Sequence, residues 1–508
     1  MSRRTWQAVI GGGVALLLVA ALVVLLLLPE PTTEPDNPDP STDTVTMDSL
    51  IDKATKDNSQ AVSAVTVTTA KESFTVKPNA EGIYCVEAYA DLPVDEGAVD
   101  VLLDAVTTIT PSSQLKTVAD DMTAYGFDSD STKVSVTYKD GETFAFELGD
   151  AAATGTGVYF RKSGETSVYL MASSFASTFD DPATYYVGRV LTVAPTVREN
   201  DSGTAQMVKL AMTGPKREPL TIRYKQASDP EALTMLCSHL IEVPYLAACN
   251  YTVLSQWQTA FNALSATEVV YAHPTAAEKK AVGLDAPSLT AKLTLGVVSS
   301  SKDADGNTTG TEIYNTATYT LHFGNANEDG DYYVQLEGTD VVYLVAASDA
   351  SFADVTLDDV IWETLMESKI VDVKRVSVSA ARGDYVFDLT HTDDEDHNLL
   401  VSMNGDNEFD AENFRTYYGL LVSLDRYIGV DKNEANAFLK NKPEPVFEVS
   451  FEHLDGHVDA ATVYTYDVNR SLVVKPDGRM YLVKTAGVET LLRQLDNVVT
   501  GKTVTEVA

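Results

Sequence analysis

The feature that most limits what this chain can fold into is a short strand that returns three times. Ser167-Val168-Tyr169-Leu170-Met171 is followed by Val341-Val342-Tyr343-Leu344-Val345 and then by Arg479-Met480-Tyr481-Leu482-Val483. Each Tyr-Leu pair stands after a Gly-containing turn, at Gly164, Gly338 and Gly478, and before a polar, helix-like run. Successive strand residues point to opposite faces of a sheet, so Tyr and Leu face different sides. The recurrence reads as three copies of one unit.

The rest of the chain keeps the same order in each copy. In the first, alternating Val65, Val67 and Thr69 lead to a hairpin, Phe74-Thr75-Val76 and Ile83-Tyr84-Cys85-Val86, closed across Asn79 to Gly82. Asp95 is placed to cap a helix with Val99, Leu102, Leu103 and Val106 at helical spacing. A pair of strands, Val134 to Tyr138 and Phe144 to Leu148, turns at Asp140-Gly141, and Val158-Tyr159-Phe160 completes the sheet. The second copy carries its helix on Leu254, Trp257, Phe261 and Leu264, and the third on Phe414, Tyr417, Tyr418 and Leu421 after Asp410. Helix starts near Asp95, Tyr251 and Asp410 imply a period of roughly 160 residues, far above the 20–50 of short-repeat solenoids. The expected architecture is α+β: three tandem repeats of antiparallel β-hairpins or sheet with one or two helices, at 61–200, 201–370 and 371–508. A length of 508 residues agrees with about three domains.

Ahead of the repeats, Ala8 to Leu28 is an unbroken apolar run, long enough as a helix to cross about 30 Å of hydrocarbon. Arg3 and Arg4 precede it and acids follow, so positive charge holds residues 1–7 in the cytoplasm and sends the bulk of the chain outside. The run is longer than a signal-peptide core and ends in Leu and Pro, which favours an uncleaved anchor over a cleaved signal. Residues 29–60 begin Pro-Glu-Pro-Thr-Thr-Glu-Pro, a semi-rigid acidic stalk and lead-in. With 74 Asp and Glu against 37 Lys and Arg, the chain repels phosphate backbones, which excludes nucleic acid as a partner. Cys85, Cys237 and Cys249 lack the spacing of a zinc knuckle and read as buried thiols, with a Cys237–Cys249 pairing left open.

The best-defined motifs are Gly283-Leu284-Asp285-Ala286-Pro287, Phe146-Glu147-Leu148-Gly149-Asp150 with Tyr159-Phe160-Arg161, and Leu321-His322-Phe323-Gly324 with Tyr332-Tyr333-Val334. On these residues the pattern resembles the bacterial family catalogued as domain of unknown function 4340. That resemblance implies a membrane-anchored, extracytoplasmic protein, some relatives of which sit beside transporter components of the gliding-motility type. The family has no established catalytic residues, so none is carried over. The third copy lacks the Gly-Leu-Asp-Pro bend before Pro443-Glu444-Pro445.

Several local patterns invite chemistry and fall short of it. Ser113-Gln114-Leu115-Lys116 has the Ser-x-x-Lys spacing, with Lys162-Ser163-Gly164 after it, but the intervening Ser-x-Asn is missing. Asn325 to Asp331 alternates oxygen ligands like a calcium loop, yet Leu336 stands where the twelfth-position acid belongs. Asp303 to Asn307 fails similarly at Thr308, and His391 to His397 occupies a hairpin tip. Trp257, Trp362, Tyr185-Tyr186, Tyr332-Tyr333 and Tyr417-Tyr418 could stack on sugars, although their spacing is that of core aromatics. No catalytic, metal or cofactor-binding residue is assigned, and no cofactor. The expected function is non-enzymatic: a single-pass envelope scaffold for protein contact, accessory to an export or ABC-type machine, with an extracellular glycan- or ligand-binding module as the alternative. On that reading the partners are the membrane, through the N-terminal helix, and other envelope or transporter proteins. Calcium at the acidic loops stays open.

Overall fold

The computed structural model describes residues 47–505 apart from 154, 156, 230–232, 234–236, 303–307 and 393–397. The expected membrane helix at 8–28 and residues 29–46 of the stalk and lead-in lie outside the described residues, as do the Asp303–Asn307 loop and most of the His391–His397 tip. Among the described residues no helix is long and apolar enough to cross a membrane. The fold is mixed α+β and its four sheets are antiparallel throughout.

In chain order, β1 (Ile51–Asp52) pairs with β5 (Thr108–Ile109), the strand directly after helix α1 (Glu96–Thr107). Between them run β2 (Val62–Thr68), β3 (Ser73–Pro78) and β4 (Tyr84–Val86). After them come β6 (Ser113–Gln114), β7 (Thr132–Tyr138), β8 (Thr143–Ala151), β9 (Val158–Lys162), β10 (Tyr169–Met171) and helix α2 (Ser173–Ser177). The first large sheet has the order β4-β3-β2-β7-β8-β9-β10-β6. As the sequence implies, Asp95 caps α1 by accepting from the Ala98 N–H at 3.1 Å, and Val99, Leu102, Leu103 and Val106 are buried on the sheet.

The second stretch contains β11 (Thr204–Gly214), β12 (Arg217–Tyr224), β13 (His239–Val243), β14 (Ala247–Cys249) and α3 (Tyr251–Asn262). Then come β15 (Glu268–Ala272), α4 (Ala276–Ala281), β16 (Leu289–Lys302), β17 (Thr308–Ala326), β18 (Tyr332–Leu336), β19 (Val341–Val345), α5 (Leu357–Val360) and β20 (Ile361–Trp362). Their order is β15-β19-β18-β17-β16-β11-β12-β13-β14-β20. The acidic, Gly- and Thr-rich insert from Ser299 to Gly310 reads in sequence as an extended hairpin loop, but its two ends are strand, because β16 and β17 stay paired as far as Lys302 and Thr308.

The last stretch holds β21 (Val373–Ala380), β22 (Gly383–His391), β23 (Leu399–Met403), β24 (Asp406–Phe409) and α6 (Ala411–Ser423). It continues with β25 (Ile428–Gly429), α7 (Lys432–Lys440), β26 (Phe447–His453), β27 (Val458–Thr465), β28 (Arg470–Val474), β29 (Met480–Lys484) and α8 (Thr485–Val499). Its order is β24-β23-β22-β21-β26-β27-β28-β29-β25. In each large sheet a short strand downstream of the capped helix, β6, β15 or β25, lies at the edge against the Tyr-Leu strand.

The Tyr-Leu pair is fully buried in the third sheet, half-buried in the first, and in the second has Tyr343 buried with Leu344 half-buried. In β29 the Tyr481 ring sits in the main cluster under α6 and α8, while Leu482 joins Ala435 and Leu472 on the other face beneath α7. Gly164, Gly338 and Gly478 turn with φ of +80°, +89° and +86°, conformations that cost most other residues energy. The Gly-Leu-Asp bend has a tertiary cause. At Gly126 and Gly283 the chain passes so close to the end of β8 or β17 that a Cβ would stand 2.5 Å from the Asp150 backbone N or 2.6 Å from Asn325 Oδ1. In the last stretch Lys442, at φ +51°, stands after α7 instead.

The same main-chain device recurs three times, once where the lead-in meets the first stretch and once at each of the two joints that follow. The Leu50 N–H donates to Ile109 O at 2.7 Å, Leu191 to Leu264 O at 2.8 Å and Leu365 to Leu424 O at 2.8 Å. An incoming segment thus closes the end of each capped helix. Leu92, Val187 and Leu191 leave the first sheet's side and pack into the core under α3, so hydrophobic packing is continuous across that joint.

Candidate functional site

The sequence-level candidates take up structural roles. Ser113 is on edge strand β6 opposite Leu170, so no helix brings Lys116 one turn from its hydroxyl. Lys162 closes a hairpin turn on Glu165 at 2.9 Å. In the calcium-like stretch, Asn327 Oδ1 accepts from the Asp329 and Asp331 N–H groups at 3.0 and 2.8 Å, while Asp331 Oδ1 accepts from the Ala347 N–H. These oxygens hold a turn. His391 Nε2 lies 2.9 Å from Val373 O. Trp257, Tyr186, Tyr417 and Tyr418 are buried, the last donating to Ser368 O at 2.9 Å. Trp362 is half-buried, its Nε1 3.4 Å from Asp425. Among the described residues no three His, Cys, Asp or Glu side chains gather as a metal shell. Cys85, Cys237 and Cys249 are free buried thiols, and burial pushes all three pKa values up, away from reactivity.

The most developed polar arrangement lies at the joint between the second and third sheets. A groove of about 1380 Å³ opens there, walled by the start of β12, the Pro244-Tyr245-Leu246 turn, the segment from Ala353 to Asp358, the β25 to α7 corner and the turn before β29. Its floor is a buried ion cluster. Glu363 follows β20 and is 1 % exposed. It accepts from Arg426 Nη1 at 2.8 Å and Arg479 Nη1 at 2.7 Å, and from the Tyr245 hydroxyl at 3.3 Å. Arg426 also donates to Tyr245 at 3.0 Å and pairs with Asp358, whose Oδ1 takes the Gly429 N–H. Arg479 reaches Asp477 at 2.7 Å and lies over the Tyr245 ring.

The electrostatics follow from that closure. Burial opposes the charge of both arginines, and the carboxylates more than offset it, holding both guanidinium pKa values above their ordinary range. Tyr245 is pushed up to about 12 by burial and by the Glu363 charge. Below, Lys475 is 2 % exposed and donates to Leu365 O at 2.7 Å. Glu367 Oε1 is buried without a hydrogen-bond partner, and burial pushes its carboxyl up to about 7, with Arg479 and Lys475 pulling down and Glu363 and Asp459 adding to the rise. On the groove wall, Tyr332 donates to Asp354 at 2.5 Å and Arg217 Nη1 donates to Ala353 O at 2.6 Å. Lys216, Glu218 and Lys432 lie on the rim.

Sequence reading missed this cluster because its members are far apart in the chain and form no motif. One signal was present. Glu363 interrupts the mostly apolar run from Val360 to Met366 and Glu367 ends it, and a carboxylate buried in such a run needs a cation or a proton.

With that geometry in place, the comparisons can be set against it. The family described as Domain of unknown function (DUF4340) matches residues 86–287 and again residues 244–445. The chain belongs to that family. The two matches overlap, and each runs from before a capped helix, across a joint, to just before the following long hairpin. No curated protein and no solved structure matches the chain.

Proposed function

We propose that this protein is a non-enzymatic, single-pass, extracytoplasmic scaffold of the bacterial cell envelope, built from three tandem α+β copies behind a membrane helix at 8–28 and presenting them to other envelope or transporter proteins. The observation that carries this reading is the construction of the joints. A repeated main-chain bridge, shared apolar packing at the first joint and the Glu363 ion cluster at the second hold neighbouring sheets in fixed relation, which is what a scaffold requires. The apolar run after Arg3 and Arg4 and the excess of acid support attachment and solubility outside the cytoplasm. Affinity purification of the full chain from crosslinked membranes tests it. The expected result is a reproducible membrane-protein partner, an export or ABC-type component among them; recovery of none sinks the reading.

An extracellular ligand-binding module is the second reading, favoured by the groove itself. Sugar recognition calls for open aromatic faces. Phe323 is buried, while the Tyr245 and Tyr332 hydroxyls are engaged with Glu363 and Asp354. Calorimetric titration with envelope glycan fragments separates the two, since a groove ligand releases heat that filling the groove with a bulky Gly429 substituent abolishes.

A further inference from the structure

The long hairpin of the second sheet carries a feature that the other two sheets lack. β17 spans Thr308–Ala326, whereas its counterparts β8 and β27 span Thr143–Ala151 and Val458–Thr465. One side of β17 pairs with β16 along nearly its whole length. The other side meets β18 only from Leu321 onward, and Thr320 O accepts from the Glu337 N–H at 2.8 Å. Gly310 to Tyr319 therefore has no strand on its outer side among the described residues. In an antiparallel pair every second residue turns its N–H and C=O away from its neighbour, so this stretch offers a row of main-chain donors and acceptors.

Elsewhere the sheet ends are blunted. Terminal strands β4, β6, β15, β20, β24 and β25 are two to five residues long. Gly310 to Tyr319 contains neither Lys nor Pro, the residues that most often protect an edge. Thr311, Ile313, Thr316 and Thr318 are exposed on it.

The hairpin is also braced. Arg198 pairs with Glu312 at 2.9 Å and lies 3.7 Å from the Tyr314 ring centroid. Asp201 accepts from Ser299 Oγ and the Tyr314 hydroxyl at 2.5 and 2.6 Å. Asn315, the extra residue of a bulge, donates to Thr196 O at 2.8 Å. A strand held this firmly loses little freedom when another is added to it.

We propose that the outer edge of β17 from Gly310 to Tyr319 docks an extended, net-positive segment of a second protein as an added antiparallel strand. The inference rests on the protein-contact reading above and names the surface it uses. Main-chain bonds would supply affinity, and the Thr side chains favour β-branched or Ser/Thr neighbours across the pair. Positive charge follows from the 74 acids against 37 bases, which attract a basic segment and oppose pairing with a second copy of this chain.

The test places a photocrosslinking amino acid at Thr316, at Thr318 or, as a control, at the 89 %-exposed Val468, in the full chain in its own membranes. Sequencing of the adducts is expected to find one Lys- or Arg-bearing, β-branched stretch of a second protein. Moving the crosslinker from Thr316 to Thr318 should shift the adduct two residues towards the partner's N-terminus, the mark of antiparallel register. An adduct with another copy of this chain, or adducts without register, overturn the proposal. Adducts at Val468 and none at the two Thr positions overturn it while leaving the scaffold reading standing. No adduct at any position, together with no partner in the purification, overturns both.

Discussion

Glu363 and Arg426 hold each other twice: the Arg426 N–H donates to Glu363 O at 2.8 Å, and Arg426 Nη1 donates to Glu363 Oε2 at the same distance. The first contact is the main-chain bridge that closes a joint, and the second makes its charge depend on it. The corresponding bridge at the first joint, from the Ala266 N–H to Arg189 O at 2.8 Å, carries a different pair, with Arg189 bound to Asp95 at 2.9 Å. One backbone device therefore serves two side-chain chemistries.

Removing the shared acid should cost more than removing one base. Glu363→Ala removes the carboxylate that both guanidinium groups share and leaves each with one acid, Asp358 for Arg426 and Asp477 for Arg479, so a loss somewhat below the about 3–5 kcal/mol of a fully unpaired buried charge is expected. Arg479→Ala leaves Glu363 still paired with Arg426, so a smaller loss is expected. Urea midpoints of the two variants check the order; equal midpoints would show that the cluster contributes little.

Glu367 gives the protein an unusual pH response. Its folded pKa of about 7 lies above the ordinary 4.5, so the folded state holds the proton more tightly than the unfolded state does. Stability from this group is full below about 4.5 and falls as pH rises to about 7. Glu367→Gln should remove that fall and raise stability at pH 8 by roughly 2–3 kcal/mol. Buried His239 works in the opposite sense. Its pKa is lowered by burial below 6.5, so its contribution is lost as pH drops through that range in both proteins. Thermal midpoints from pH 4 to 9 distinguish the two groups, and parallel curves for wild type and variant would refute the role given to Glu367.

Glycines of one backbone class should separate by surroundings. Gly478→Ala meets nothing within 4 Å, so only the left-handed φ is penalised, by about 1–2 kcal/mol. Gly126→Ala adds a clash with the Asp150 main chain, and a larger loss is expected. At Gly283 the first obstacle is the Asn325 side chain, which can turn, so an intermediate loss is expected. Denaturation of the three variants reads the ranking.

The helix caps offer a local test. Asn250 accepts from the Thr252 N–H at 3.0 Å, and Asp410 from the Glu412 and Asn413 N–H groups at 3.0 and 3.1 Å. Asn250→Ala and Asp410→Ala should each lose about 1 kcal/mol, with Asp410 the greater because it satisfies two donors as a charged acceptor. Amide exchange in the first turns of α3 and α6 reports it directly.

The fold was legible where the information is local. Asp95 and Asp410 announce their helices by side-chain chemistry, and Val99, Leu102 and Leu103 follow at the spacing of a helical face. The short strands β6, β14, β20 and β25 were not legible, since two or three residues carry no periodicity and their pairing is set by distant partners. The insert reads as a loop because it is acidic and rich in Gly and Thr; at its two ends cross-strand pairing between β16 and β17 overrides that propensity.

What the sequence determined by itself is the unit: a returning Tyr-Leu strand, a capped helix and paired hairpins, all written in nearest-neighbour terms of capping, alternation and turn geometry. The family model matches residues 86–287 and 244–445 of the chain. Only the tertiary structure decided that a Cβ at Gly126 or Gly283 would fall inside van der Waals contact with Asp150 or Asn325, that Glu363 gathers Arg426 and Arg479 under a groove, and that Gly310 to Tyr319 has no paired strand on its outer side among the described residues. These relations join residues tens to more than a hundred positions apart. Burial makes an unpaired charge or donor costly, and burial is a property of the assembled core rather than of any stretch of chain.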